Sequence, residues 1–130
     1  MILLDTHVVL WLALTPEKIS PAATTAIRQA ELAEAISAIS VVTLYEIVCT
    51  IRSGRIQPSV PRQVFLNRIR SRFNVLPVSD AIALCAAELP YPFHSDPTDR
   101  IIAATAIEED CVLITNDDRI RNANVCKVLW

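Results

Sequence analysis

Five short apolar runs, separated from one another by segments of helical pattern, constrain this chain more than any other feature. The runs cover residues 2–4, 35–38, 75–78, 112–115 and 125–129. The first is unbroken Ile-Leu-Leu rather than alternating, which suits a strand buried on both faces. Helical stretches are expected over 8–14, 21–33, 40–52, 61–73, 80–89, 97–109 and, as a short turn, 117–123. Strands alternating with helices predict a parallel sheet covered on both faces, a three-layer α/β/α sandwich of about five strands. With 130 residues, 52% of them hydrophobic, one domain with a substantial core is expected over 1–130. No apolar run approaches the roughly 20 residues of a membrane span, and no basic leader precedes the first strand, so a cytoplasmic protein is expected.

Local punctuation supports this reading. Ser20-Pro21, Ser79-Asp80 and Asp96-Pro97 are helix starts, with a capping side chain before the first turn and, in two of them, proline inside it. Ser40 is expected to cap the helix that follows. Gly54, the single glycine, falls just past residue 52, where a helix C-terminal cap belongs.

Four acids stand in or beside apolar stretches. Asp5 ends the first run, Glu46 lies within Val41-Val-Thr-Leu-Tyr-Glu46-Ile-Val, Asp99 follows Asp96-Pro-Thr, and Asp117 follows Val112-Leu-Ile-Thr115-Asn. A carboxylate in such a place is destabilising unless compensated, and four that converged would call for a divalent cation. In open parallel sheets, ligands bind beyond the carboxyl ends of the strands. Asp5 and Asp117 follow strands, and Asp99 is in the first turn of its helix. Each of the three also has a capping explanation, and Asp96 is read first as a cap. Glu46 has none, because its helix is apolar on most sides.

Other polar features discriminate less. Cys49, Cys85, Cys111 and Cys126 form no C-x-x-C pair and read as buried thiols, not zinc ligands. Net charge is −2, yet Arg52, Arg55, Arg62, Arg68, Arg70 and Arg72 fall in a stretch from 47 to 79 that holds no acid. That stretch is either a surface for phosphate or an acidic peptide, or a solvated face paired with acids elsewhere. His7 reads as a packed or capping residue. Trp11 reads as core, and Trp130 as a cover for the sheet edge.

These segments, taken in order, resemble the PIN-domain ribonucleases, in particular the VapC-like toxins of toxin–antitoxin pairs. Leu-Leu-Asp5-Thr6-His-Val-Val-Leu-Trp11 is similar to the family's first strand and acid, and Ile39-Ser-Val-Val-Thr-Leu-Tyr-Glu46-Ile to its second-acid helix. His94-Ser-Asp96-Pro-Thr-Asp99-Arg100 resembles an H-x-D-P-x-D-R signature, and Leu113-Ile-Thr115-Asn-Asp117 the last strand and acid. The resemblance implies a PIN-like fold and a metal-dependent endoribonuclease with Asp5, Glu46, Asp99 and Asp117 as ligands of Mg²⁺ or Mn²⁺. It gives Thr6, Thr115 and Asp96 supporting roles, and implies RNA as substrate, a cognate antitoxin and a homodimer. Asp117 is preferred to Asp118 because it keeps the Thr-x-Asp spacing. Arg52, Arg55, His94 and Arg100 are candidate contacts to substrate or antitoxin, with a structural ion pair as the other reading of Arg100. Two other classes stay open: a PIN-like module that only binds a partner, and a receiver-type signalling domain. The latter lacks the acid pair expected after strand one. A structured DNA substrate would leave the chemistry unchanged.

Overall fold

The computed structural model describes residues 1–90, 93 and 96–130. The expectation for His94 therefore lies outside the described residues. In chain order the elements are β1 (Ile2–Leu4), α1 (Thr6–Leu14), a 3₁₀ turn (Pro16–Lys18), α2 (Pro21–Leu32), β2 (Ser37–Ser40), α3 (Val41–Arg52), α4 (Arg62–Arg72), β3 (Asn74–Leu76), α5 (Asp80–Glu88), α6 (Pro97–Glu108), β4 (Val112–Ile114), α7 (Asp118–Ala123) and β5 (Val128–Leu129).

The strands form one sheet in the order β3-β2-β1-β4-β5, parallel throughout. Alternation along each strand divides the core between the two faces. Leu4, Ile39 and Ile114 join Val8, Val9, Ile47, Phe65 and Ile69 of α1, α3 and α4. Leu3, Ala38 and Leu113 join Ile102, Ala103 and Ala106 of α6, and Ile120 of α7. This is the expected α/β/α sandwich. Strands β1 and β4 flank the point where strand order reverses, the place beyond the carboxyl ends where such sheets bind ligands.

Helix starts follow the sequence with one exception. Ser20 Oγ accepts from the Ala23 N–H, Ser79 Oγ from Ile82 and Asp96 Oδ1 from Thr98. Ser40 occupies the cap position of α3 but its side chain makes no cap bond. As the last residue of β2 it turns its hydroxyl inward, where Oγ is buried with no hydrogen-bond partner among the described residues.

The expected second strand begins two residues later than its pattern suggested. The C-terminus of α2 consumes those residues: Glu34 adopts a left-handed φ of 51°, and the Ala35 N–H returns to the Ala30 carbonyl at 2.8 Å. Asp110 (φ 44°) ends α6 in the same way, with the Cys111 N–H on the Ala106 carbonyl at 3.0 Å. Asn124 (φ 51°) ends α7 and helps confine the last strand to Val128–Leu129. Gly54 (φ 78°) behaves as expected after α3. Cys111 is buried, but Cys49, Cys85 and Cys126 are only partly so, which corrects the expectation of four buried thiols.

Candidate functional site

β1 and β4 end side by side, and their last backbone link is the Asp5 N–H donating to the Ile114 carbonyl at 3.1 Å. This sets Asp5 beside Thr115. The Thr115 hydroxyl donates to Asp5 Oδ2 at 2.7 Å, while Asp5 Oδ1 accepts from the Thr6 N–H at 2.7 Å and so caps α1. Asp5, Thr6 and Thr115 are all buried. The two supporting threonines thus touch the acids they were expected to support.

α3 packs against α1 and α6, which brings Glu46 to the same crevice. Its Oε2 is hydrogen-bonded to the Thr6 hydroxyl, which also meets the Thr43 hydroxyl at 3.2 Å. Its Oε1 is hydrogen-bonded at 2.8 Å to the Thr98 hydroxyl, which lies 2.8 Å from Asp96 Oδ1 as well. Thr98 has one proton for these two carboxylates. Asp99, in the first turn of α6, is buried. Asp117 caps α7, accepting from the Arg119 N–H at 2.8 Å, and its own N–H donates to Thr115 Oγ1 at 3.0 Å.

The electrostatics reflect this convergence. Burial, followed by the charges of Asp5, Asp96, Glu46 and Asp117, pushes the Asp99 carboxyl up from 3.8 to about 7. Burial also raises Asp5, against the Thr115 bond, the nearby His7 and the Thr6 N–H. Burial raises Glu46, against the hydroxyls of Thr6 and Thr98. A nest of oxygens whose charges oppose one another in this way is the donor set that Mg²⁺ or Mn²⁺ takes.

As the side chains stand, no three His, Cys, Asp or Glu groups among the described residues are placed to share one ion. The hydrogen bonds explain why. Asp5 faces Thr6 and Thr115, Glu46 faces Thr6 and Thr98, and Asp117 faces Arg119. Each acid is turned to a protein donor. The donor chemistry fits a hard cation.

Thr43, Thr98 and Arg119 belong to this site and were not singled out from the sequence. Arg119 is an Asp-x-Arg neighbour of a capping acid, a spacing that could have signalled it. Its Nη2 lies 2.8 Å from Asp117 Oδ2 and 3.7 Å from Asp99 Oδ2.

Other candidates fall elsewhere. Asp96 caps α6 as expected and also reaches Thr98. Arg100 turns away from the acids: Nε donates to the Ala86 carbonyl at 2.9 Å and Nη2 to Leu89 at 3.0 Å, closing the C-terminus of α5. Its guanidinium also lies over the Phe93 ring. Asp118 is exposed and pairs with Arg121. Arg52, Arg55, Arg62, Arg68, Arg70 and Arg72 are exposed. Arg72 pairs with Glu31 at 2.9 Å and Arg55 meets Ser53, so one member of the stretch is answered by an acid from another element. His7 is exposed, 6.1 Å from the Trp11 ring, and Trp11 packs on Trp130. A cavity of about 400 Å³ at the other end of β4 and β5, lined by Cys111, Cys126 and Lys127 among others, contains none of the four acids. Among the described residues no helix is long and apolar enough to cross a membrane.

Comparison with known proteins agrees with this geometry. The PIN domain family model matches residues 2–125. Ribonuclease VapC22 of Mycobacterium tuberculosis is 33% identical over 121 residues, covering 93% of this chain and 90% of that protein. Two solved structures share the fold at 19% identity: VapBC2 from Rickettsia felis bound to a promoter DNA fragment (TM-score 0.73, covering 99% of this chain and 98% of that one) and DNA-bound VapBC from Salmonella typhimurium (TM-score 0.72, covering 98% and 96%). With four acids gathered at the switch point of a five-stranded parallel sheet, and with these similarities along nearly its whole length, the chain belongs to the PIN-domain family, in its VapC-like toxin–antitoxin branch.

Proposed function

We propose that this protein is a metal-dependent endoribonuclease and the toxin of a toxin–antitoxin pair. The observation that carries the reading is the convergence of Asp5, Glu46, Asp99 and Asp117, strong enough to hold Asp99 at about 7. Asp5, Glu46, Asp99 and Asp117 would together hold Mg²⁺ or Mn²⁺. When bound, such an ion lowers the pKa of a water and offsets charge at a phosphodiester.

The chain's own residues then have distinct tasks. Thr115 and the Thr6 N–H fix both oxygens of Asp5, so that it presents one orientation to the crevice. Thr6 and Thr98 do the same for Glu46. In the metal-free protein, burial and the neighbouring acids hold the Asp99 carboxyl near neutrality, a repulsion that a cation held there would relieve. RNA as substrate and an antitoxin as partner are supported by the named relatives, a ribonuclease and members of VapBC complexes. Exposed Arg52 and Arg55 offer positive charge to an RNA backbone or an acidic peptide.

The test is cleavage of total bacterial RNA by purified protein in Mn²⁺ or in EDTA, beside Asp99→Asn. Discrete fragments that need both metal and Asp99 support the reading. Folded, metal-replete protein that leaves RNA whole points to a module that only binds its partner.

A further inference from the structure

We propose that Arg119 is a resident counter-cation which a divalent ion must displace from Asp117, so that this side chain sets the metal concentration at which the site loads. The proposal rests on the metal reading above.

Three observations carry it. First, Arg119 forks onto both Asp117 oxygens, with Nε at 3.2 Å from Oδ1 and Nη2 at 2.8 Å from Oδ2. A carboxylate engaged at both oxygens by a guanidinium has no well-directed lone pair to give an ion without breaking one of those bonds. Second, the same Nη2 stands 3.7 Å from Asp99 Oδ2. One positive charge thus serves two acids of the cluster, and it occupies the space between them. Third, the guanidinium is free to leave. The Arg119 side chain is 63% exposed, whereas those of Asp117 and Asp99 are 14% and 11% exposed. The acids lie inside the crevice and the cation reaches them from the solvent side.

Repulsion gives the direction. A guanidinium and a divalent ion at the same two carboxylates repel, so the ion's apparent affinity includes the free energy of parting Arg119 from Asp117. The guanidinium side of that pair faces solvent, where ion pairs are weak, so the cost of parting it is modest. Removing the guanidinium should therefore tighten metal binding severalfold. An alternative in which Arg119 merely braces Asp117 predicts the opposite sign, because an unbraced ligand binds more weakly.

The experiment titrates Mn²⁺ into the EDTA-treated, dialysed full chain by calorimetry, with free Mn²⁺ followed by electron paramagnetic resonance. Arg119→Gln removes the charge and the fork. Arg119→Lys keeps the charge and loses the fork. Arg121→Gln is the charge control, since Arg121 lies two residues beyond Arg119 and pairs with exposed Asp118. The expected result is a Kd for Mn²⁺ at least about threefold tighter in Arg119→Gln, with Arg119→Lys between it and wild type. Arg121→Gln should change the Kd less than about twofold. Metal-free Arg119→Gln should also melt below wild type and gain more in Tm from Mn²⁺. An unchanged or weaker Kd in Arg119→Gln overturns the proposal while leaving the metal site standing. No Mn²⁺ binding by wild type or any variant overturns the metal reading itself, and this proposal with it.

Discussion

Asp99→Asn should stabilise the metal-free protein, increasingly so as pH rises from about 4 to 7. The native carboxyl titrates at about 7, against an ordinary value of 3.8. A carboxyl raised on folding binds its proton more tightly in the native state, so stability falls as pH rises through the window from about 4 to 7. The gap corresponds to a ceiling of about 4 kcal/mol above pH 7. The Asp99 side chain is only 11% exposed, so solvent screening removes little of this. Relaxation of Asp5, Glu46 and Asp117 around the charge removes more, and about 2 to 3 kcal/mol is the expected gain. For a chain of this size that is roughly 7 to 11 °C in Tm. Asparagine keeps the volume, and its amide can donate to the neighbouring carboxylates. The assay is thermal unfolding of wild type and Asp99→Asn in EDTA at pH 5, 6, 7 and 8. The Tm difference should already be roughly a third of its full value at pH 5, grow through pH 6 and 7, and level off by pH 8. A variant that melts lower than wild type at pH 8, or a difference that does not change with pH, refutes the argument that burial and neighbouring acids strain this carboxylate.

Other perturbations address the surroundings of the acids. Thr115→Val removes the donor to Asp5 Oδ2 and the acceptor for the Asp117 N–H; urea unfolding should show a loss of about 2 to 3 kcal/mol. Arg100→Ala should lower stability by about 1 to 2 kcal/mol by freeing the carbonyls at the end of α5, while the rise in Tm on adding Mn²⁺ persists. Loss of that rise would return Arg100 to the site. Glu34→Gly relieves a left-handed φ of 51° and should raise Tm by about 3 to 4 °C, corresponding to about 1 kcal/mol.

Much of this architecture is legible in the sequence because its signals are strong and local. Unbroken apolar runs mark the strands, and Ser-Pro and Asp-Pro pairs mark helix starts. The four acids were visible because each interrupts an apolar stretch, and Glu46 most clearly, since no cap explains it. Boundaries failed where the backbone did something its residue type does not announce. Glu34, Asp110 and Asn124 end helices in a conformation usually signalled by glycine, and the chain's one glycine shows how readable that signal is when present. Ser40 holds a cap position, but its hydroxyl turns inward, a matter of tertiary packing. Thr43, Thr98 and Arg119 were passed over for a related reason. A threonine in a helix start or an arginine beside an aspartate has many ordinary explanations, and its partner here lies tens of residues away or depends on where α7 docks. Arg100 reads as a site contact because it adjoins Asp99 in sequence, yet successive helical residues point in different directions, and this one faces α5.

The most direct test of the acid cluster is a crystal structure grown with Mn²⁺, with the ion located by its anomalous signal. The account predicts a peak bounded by Asp5, Glu46, Asp99 and Asp117, with the Arg119 guanidinium withdrawn from Asp117. A map with no peak there at saturating Mn²⁺, with Arg119 still on Asp117, would contradict it.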